Sequence, residues 1–211
     1  MHFDFAQTAD GIAYKLLVAT VMPRPIAWVV TKSVTGLVNT APFSFFNVMG
    51  DAPPTVALGV SRARHGGLKH TAQNIRDSGE FVVNLVPFAL ADAMNLTAID
   101  APEGVSEADL AGLALSPSVK IAPPRLSASP VALECRLQQE VQTGPAQHQI
   151  IGEVLALHID ARFVLDAGRG HVDTPGLDLI GRSYGADYVR TREVFRLDRP
   201  SWRDYTSKKQ D

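Results

Sequence analysis

The sequence has 211 residues, of which 45% are hydrophobic and 20% are charged, and its formal net charge at pH 7 is −2. This balanced charge gives no reason to expect binding to nucleic acid or to an anionic lipid surface. No apolar stretch approaches the roughly 20 residues that a membrane-spanning helix needs, and the first ten residues carry acids in place of the apolar core of a secretory signal. We therefore expect a cytoplasmic protein with no membrane contact.

Short apolar and β-branched runs separated by turns fill much of the first ninety residues. Residues 25–32 are predicted to form a strand, and the polar residues 33–36 that follow predict a hairpin connection. Residues 54–61 and 80–87 are apolar runs bounded by turn residues, which predicts two buried strands. The first part of the chain is therefore expected to contribute strands to a sheet.

Three short helices are predicted between these strands and the second half of the chain. Apolar residues at helical spacing indicate a helix from about residue 69 to residue 77. Residues 88–99 indicate a second helical region, and residues 106–113 a short third one. In the third, Glu107 and Asp109 suit the positive N-terminal end of a helix, so we interpret them as helix-terminal charges.

The second half of the chain returns to strands. Alternate residues from Val131 onward are apolar, which places Glu134 on the opposite face of that strand. Residues 149–166 share the period of two and are predicted to pair with it as a long antiparallel hairpin. Many strands and few short helices predict a mostly β protein whose antiparallel sheet closes or nearly closes, because closure removes exposed edges. We expect a single domain over residues 1–211.

One segment combines polar and aromatic side chains in a way typical of a ligand pocket. Asn39, Thr40 and Ser44 lie among three phenylalanines between positions 43 and 46. A flavin ring has a polar edge, which the backbone N–H groups of an irregular segment fixed by Pro42 would meet, and apolar faces that a phenylalanine would cover. The alternative is a turn of the core packed by aromatic side chains.

Hydrogen-bond donors and positive charges are clustered between the second strand and the first helix. Ser61 and Arg62 follow an apolar run, and Lys69 and Thr71 lie at the start of the predicted helix. A phosphate monoester needs such donors and about two positive charges, and a helix N-terminus adds unpaired N–H groups. The alternative is that Arg62, Arg64 and Lys69 are solvated loop charges and that Thr71 caps the helix.

Two single residues have both a functional and a structural interpretation. His158 lies among apolar neighbours on a predicted strand, where it either stacks near a bound ring or is a hydrogen-bonded structural residue. Cys135 is the single cysteine and cannot form an internal disulfide. Its place in an alternating strand predicts a packing residue and not a nucleophile. No Cys/His spacing predicts a zinc site.

Four segments, in this order along the chain, resemble the flavin reductase-like family. They are RPIAWVVTKSVTGLVNTAPFSFFNVMGDAPPTVALGVS, KHTAQNIRDSGEFVVNLV, GLALSPSVKIAPPRLSASPVALECRL and GEVLALHID. The resemblance runs from about residue 19 to residue 189. It implies an FMN-binding split β-barrel of antiparallel Greek-key type. It also implies a homodimer, with FMN held in a groove near the dimer interface.

The resemblance also implies which residues contact the cofactor. They are Asn39, Thr40, Ala41, Ser44 and Phe45 beside the flavin, together with Thr31 from the preceding strand, and Ser61, Arg62, Lys69 and Thr71 on the phosphate side. The family has an acid between Lys69 and Thr71, where this chain has His70, which adds positive charge near the phosphate when it is protonated. In the block IGRSYGADYV, Ser183 and Tyr184 stand where a tighter Gly-rich turn is usual, so the substrate side of the pocket is expected to differ.

The implied activity is that of an NAD(P)H-dependent flavin reductase, which passes hydride from a nicotinamide to bound FMN. Electrons then pass to free flavin, oxygen or a partner such as a monooxygenase. Because the cofactor carries this chemistry, no catalytic side chain is predicted. The alternative is a non-catalytic, flavoredoxin-like FMN carrier that serves a protein partner; a third interpretation is a binding module for another flat anion. No Gly-x-Gly-x-x-Gly fingerprint follows a strand, so nicotinamide recognition is not expected to be of the Rossmann kind.

Overall fold

Strands make up most of the regular structure, as the sequence predicts. The computed structural model describes residues 1–62 and 66–207. The strands are β1 (Arg24–Pro25), β2 (Ala27–Lys32), β3 (Val38–Phe43), β4 (Phe46–Asp51), β5 (Pro54–Ser61), β6 (Glu80–Asn84), β7 (Leu115–Ser116), β8 (Arg125–Leu126), β9 (Val131–Gly144), β10 (Gln147–Ile159), β11 (Val164–Asp166), β12 (His171–Val172), β13 (Ile180–Arg182) and β14 (Tyr188–Arg190). The helices are α1 (Ile12–Thr20), α2 (His70–Ser78), α3 (Ala91–Leu96), α4 (Glu107–Leu110) and α5 (Trp202–Ser207), with 3₁₀ turns at Phe88–Leu90 and Ala161–Phe163. Over the described ranges, every helix is too short or too polar to cross a membrane.

Seven strands form one antiparallel sheet in the order β3-β2-β6-β9-β10-β5-β4. Its two edge strands, β3 and β4, follow each other in the chain and are joined by only Ser44 and Phe45. The N–H of Gly59 in β5 donates to the carbonyl of Phe45 at 2.7 Å, which fixes this connection to the far side of the sheet. The sheet therefore curves into a barrel whose two edges meet at residues 44–45. This confirms the split barrel that the resemblance implies.

The longest pair of strands is the predicted hairpin of β9 and β10. Their register runs from Ile159 opposite Val131 to Gln147 opposite Gly144. The strand predicted over residues 149–166 ends earlier, at Ile159. The carboxylate of Asp160 accepts the N–H of Arg162 at 3.0 Å, and the 3₁₀ turn that follows separates β10 from β11.

Both faces of β2 are buried, which explains its continuous apolar sequence. Ala27 and Val29 point into the barrel, where they pack with residues of β5, β6, β9 and β10. Trp28 and Val30 point outward and are covered by α3 and by the segments around β8 and β13. The indole N–H of Trp28 donates to the hydroxyl of Thr97 at 2.8 Å, so this buried polar atom is satisfied. A strand buried on both faces cannot show the alternation of a half-exposed one.

The helix predicted over residues 69–77 is present as α2, displaced by one residue. Ala72 and Ile75 are buried against the interior of the barrel. Gly79, with φ of 72°, ends the helix in the left-handed region and donates its N–H to the carbonyl of Ile75 at 2.8 Å. This packing sets the N-terminus of α2 beside β3.

Two features differ from the sequence-based expectation. The segment from Asn39 to Phe43, expected to be irregular, belongs to strand β3 and pairs with β2. The polar groups on its outer edge find partners on helices outside the sheet: the side chain of Asn39 bonds to Thr71 of α2, and the backbone N–H of Thr40 to Glu107 of α4. The second difference is α1, which was not predicted. It begins after Gly11, so the polar capping residue that usually marks a helix start is missing from the sequence.

Glu134 lies on the face of β9 opposite Cys135, as predicted, but it is fully buried. The segment after β7 covers it, and its two carboxylate oxygens accept the N–H groups of Val119 at 2.8 Å and Lys120 at 2.7 Å. His158 Nε2 lies 2.5 Å from Glu134 Oε1. Burial alone would raise the pKa of Glu134, but these hydrogen bonds outweigh burial and hold its pKa below the ordinary value.

We expect Glu134→Gln to lower the free energy of unfolding at pH 7 by about 1–3 kcal/mol, because an amide NH₂ would face an N–H donor that needs an acceptor. The folded-state pKa of Glu134 lies below its unfolded value, so the stabilisation by the carboxylate is complete above the unfolded pKa. It is lost as the pH falls through the folded pKa. The difference between native protein and variant should therefore shrink as the pH falls through the folded pKa of Glu134, as measured by urea unfolding at a series of acidic pH values. Glu103→Gln, at an exposed position, is the matched control. A difference that does not change with pH would contradict this account.

Candidate functional site

A cavity of 420 Å³ lies where β3 meets the start of α2. We call it the Lys69 cavity. Its walls are the outer edge of β3, residues 68–71 at the start of α2, the segment that follows α3, and the start of α4. Four of the predicted cofactor residues lie in its walls, namely Asn39, Ala41, Lys69 and Thr71. The fold therefore brings together residues that are about thirty positions apart in the sequence.

The start of α2 makes one end of the Lys69 cavity suitable for an anion. The first intrahelical hydrogen bond runs from Gln73 N–H to the carbonyl of Lys69, which leaves the N–H groups of the first turn without an intrahelical acceptor. The half-buried Lys69 side chain adds a full positive charge, with its Nζ 5.7 Å from the centroid of the Phe43 ring. His70 is exposed and also lines the cavity. Unpaired N–H groups, a cation and an adjacent hydroxyl are the donors that a phosphate requires.

Two side-chain hydrogen bonds fix α2 to the sheet below the cavity. Asn39 donates to the Thr71 hydroxyl at 3.0 Å, and Asn74 donates to the Thr31 hydroxyl at 3.0 Å. Thr31 is fully buried and does not line the cavity. Thr31 thus supports the helix that forms the cavity wall, and its contact with the cofactor stays a prediction.

Glu107 is a buried carboxylate in the wall of the Lys69 cavity, with only 5% of its surface exposed. One of its oxygens accepts the N–H of Thr40 at 2.9 Å. This N–H points away from β2 because β3 is an edge strand, so without Glu107 it would be a buried, unsatisfied donor. Thr40 itself is fully buried. Sequence analysis interpreted Glu107 as a helix-terminal charge, and nothing in the pattern of residues 106–113 distinguishes a buried acid from a solvated one.

A second cavity, of 490 Å³, adjoins the first. We call it the Arg24 cavity. It lies between α1, the end of β3, α3 and the turn that joins β13 to β14, and Ser44 is in its wall. The two cavities share Pro42, Phe43 and Ala98. Phe45 is 40% exposed nearby, with its ring centroid 6.2 Å from that of Tyr14.

Arg24 links three parts of the wall of the Arg24 cavity. It is 8% exposed, and its Nη1 donates to the carbonyls of Val18 at 2.7 Å and Val21 at 2.8 Å. Its Nη2 donates to the carbonyl of Ser183 at 2.8 Å. The arginine thus joins the end of α1 to the turn after β13. The sequence does not predict this role, because a charge beside a short strand is an ordinary surface pattern.

Ser61 and Arg62 are exposed at the end of β5. The backbone N–H of Arg62 donates to the carbonyl of Ala146 at 2.9 Å, which continues the pairing with β10. Neither residue lines the two cavities. Arg64 lies outside the described residues.

His158 and Cys135 lie outside the two cavities, in contacts that stabilise the fold. His158 contacts Glu134 and lines a separate polar cavity around Arg125 and Asp160, so the hydrogen-bonded interpretation of this histidine is confirmed. Cys135 is fully buried in the barrel, and burial raises the pKa of its thiol to about 12. Its interpretation as a packing residue is confirmed, because a thiol with this pKa stays protonated and is a poor nucleophile.

Comparison with known proteins places this architecture among flavin proteins. Residues 19–173 match the model of the flavin reductase like domain. An uncharacterized protein of Deinococcus radiodurans is 47% identical over 203 residues, which cover 94% of this chain and 89% of that protein. An uncharacterized protein of Bacillus subtilis is 37% identical and covers 94% of this chain and 98% of its own length.

Several solved structures are similar over most of their length. The 2-nitrobenzoate 2-nitroreductase of Pseudomonas fluorescens has a TM-score of 0.87 and 33% identity, covering 96% of this chain and 98% of that one. Component B of the nitrilotriacetate monooxygenase of Bacillus cereus has a TM-score of 0.88 and 30% identity, and the match covers 93% of this chain and 98% of that one. The flavoredoxin of Desulfovibrio vulgaris, at 20% identity and a TM-score of 0.74, shares the fold and covers 84% of this chain and 91% of its own. The family model, the relatives and the fold agree, and the chain belongs to the flavin reductase-like family.

Proposed function

We propose that the protein binds FMN in the Lys69 cavity and reduces it with NADH or NADPH. The observation that carries this proposal is the pair of adjoining cavities with a common wall at Pro42, Phe43 and Ala98. A reductase must hold two ligands side by side so that their reacting atoms meet, and two cavities with a shared wall supply that arrangement. FMN would supply the hydride-accepting ring, and the protein supplies binding, orientation and charge.

The residues of the Lys69 cavity fit the chemical groups of FMN. The phosphate would lie at the start of α2 with Lys69 and Thr71, and Ser61 and Arg62 at the end of β5 are proposed to complete its shell. The ring would lie along β3, where Ala41 offers an apolar surface and the amide of Asn39 lines the polar side.

The remaining proposed cofactor residues differ in how they would act. Ser44, in the wall of the second cavity, and the partly exposed Phe45 would border the ring at the junction of the two cavities. Thr31 and Thr40 are fully buried, so their contribution would be to position α2 and Glu107. His70 takes the place of the acid usual in the family and would add charge to the phosphate end.

The Arg24 cavity favours a reductase over a carrier. A flavoredoxin-like carrier exchanges electrons with a protein partner and does not require a second small-molecule cavity beside the flavin. Two similar structures at 30% identity or more are a nitroreductase and a monooxygenase component, whereas the flavoredoxin shares only the fold. The electron acceptor of this chain would accordingly be a small molecule, free flavin or a monooxygenase.

The decisive experiment is anaerobic mixing of the FMN-loaded protein with NADH or NADPH in a stopped-flow spectrometer. We expect the visible absorption of the flavin to bleach, because a nicotinamide that occupies the second cavity lies next to the ring. Flavin absorption that persists at millimolar NADH or NADPH, but is removed by dithionite, would identify a carrier. Protein that stays colourless after incubation with FMN would contradict both assignments.

We expect Arg62→Ala combined with Lys69→Ala to weaken FMN binding strongly, since each charge-assisted contact to a phosphate contributes roughly 1.5–3 kcal/mol. Riboflavin, which lacks the phosphate, should bind the variant as well as it binds the native protein. Fluorescence titration with both flavins measures the two affinities. Arg169→Ala, in an exposed turn between β11 and β12, is the matched control. Unchanged FMN affinity in the double variant would refute the phosphate assignment.

We also propose that the protein is a homodimer that pairs through the outer faces of β4 and β10. Val48 is 64% exposed and Leu157 is 55% exposed, and both line an apolar groove of 380 Å³ on this face. Light scattering after gel filtration should give twice the chain mass of 22.7 kDa. Val48→Asp should shift the protein toward the monomer, whereas Leu165→Asp, at a 70% exposed site on β11, should not. A native protein that elutes as a monomer at all concentrations would exclude this interface.

A further inference from the structure

The lining of the Arg24 cavity has an uneven charge. Lys15 of α1, Arg24 of β1 and Arg182 of β13 are in its wall, and no Asp or Glu among the described residues joins them. Within the same described ranges, none of the three forms an ion pair with a carboxylate. A concave site lined by one sign of charge attracts ligands of the opposite sign. The cavity thus presents a positive field that the protein itself does not neutralise.

Arg24 is the buried member of this group. Its two Nη atoms are engaged by backbone carbonyls, but its Nε is buried and has no hydrogen-bond partner in the described part of the chain. A charged N–H donor without an acceptor is costly inside a protein, and native structures seldom leave one without a reason. The structural role of joining α1 to the turn after β13 accounts for the Nη contacts only. It does not explain why the Nε–H is left buried without a partner in a residue that lines a cavity.

Arg182 is held in place beside Arg24. Its guanidinium carbon lies 4.5 Å from the centroid of the Tyr188 ring, and its Nη2 donates to the carbonyl of Gly185. Arg24 and Arg182 are directly opposite each other in the antiparallel pairing of β1 and β13. Two guanidinium groups that are held side by side in this way are suited to bind a carboxylate, because the N–H donors of a guanidinium match the two oxygens of a carboxylate.

The other walls of the Arg24 cavity are aromatic or apolar. Tyr14, Phe43 and Tyr184 surround it, and Ile26 and Met94 lie deeper. Aromatic walls favour a planar ring by stacking or edge contacts. Three of the five N–H donors of Arg24 are engaged by backbone carbonyls, so few remain, and the site suits a carboxylate better than a phosphate dianion.

We propose that the Arg24 cavity binds a small aromatic carboxylic acid, with its carboxylate at Arg24 and Arg182 and its ring against Phe43. This inference rests on the proposed function in one respect: the ring of the acid would lie next to the flavin because Phe43 also lines the Lys69 cavity. The cations and aromatic walls belong to the protein itself, so the acid should bind with or without FMN.

The test is isothermal titration of the protein, both free of flavin and loaded with FMN, with benzoate and 4-hydroxybenzoate. Benzyl alcohol is the neutral control ligand. We expect at least one of the acids to bind both forms, and benzyl alcohol to bind at least about tenfold more weakly, because it lacks the charge that the guanidinium groups recognise. Arg182→Met should weaken binding of the acid by about tenfold or more, whereas Arg169→Met should leave it unchanged. Arg24→Lys, which keeps the charge but loses the Nε–H, should also weaken it.

Several results would overturn the proposal. They are the absence of binding by either acid, equal affinity for acid and alcohol, or an Arg182→Met variant that binds as well as Arg169→Met. Since the proposed function places a nicotinamide in the same cavity, the acid and the nicotinamide would occupy it in turn. Because the titration includes flavin-free protein, binding of the acid can be observed even if the protein does not bind FMN. Binding of FMN can likewise be observed if the acid does not bind. The failure of this inference and the failure of the proposed function are therefore distinguishable.

Discussion

The free edge of β3 is the constraint on which the site depends. A strand at the end of a sheet has one row of N–H and carbonyl groups that the sheet does not pair, and these groups must find other partners. In this protein the N–H of Thr40 is paired by the carboxylate of Glu107. α2 packs beside the same strand through the hydrogen bond between Asn39 and Thr71. The incomplete closure of the barrel thereby creates a lined recess instead of an exposed edge.

The same edge explains why the two cavities adjoin. Phe43 is the last residue of β3 and is in the wall of both cavities, with α2 on one side and α1 on the other. The chain then reaches β4 after only two residues, and Phe45 is fixed by its carbonyl to Gly59. A short, tethered connection leaves little freedom to the shared wall. Such rigidity helps a protein that must hold two rings in a fixed relation.

The sequence predicted elements whose signal is local. The helix α2 has apolar residues at helical spacing and a glycine at its end, and the pairing of β9 with β10 follows from their period of two. The Lys69 cavity was partly predictable, because Asn39, Ala41, Lys69 and Thr71 fall in segments with a recognisable pattern. The prediction of an irregular segment around Pro42 was wrong, since Thr71 and Glu107, outside the sheet, satisfy the Asn39 amide and the Thr40 N–H on the free edge of the strand.

What could not be predicted depends on contacts between distant segments. Glu107 has the sequence context of a solvated helix start, and only the packing of α4 on β3 buries it. Arg24 precedes an apolar strand, and its role depends on a turn about 160 positions away. The cluster of cations in the second cavity combines one residue from each of α1, β1 and β13. No pattern within a short window contains that information.

The environment of Cys135 bears on how the protein would withstand the chemistry proposed for it. Reduced flavin that meets oxygen generates peroxide, and peroxide attacks cysteine as the thiolate. The only cysteine of this chain is enclosed in the barrel, and its thiol stays protonated at physiological pH. A flavoprotein built in this way can release peroxide beside its cofactor without forming sulfenic acid or intermolecular disulfides on its own chain.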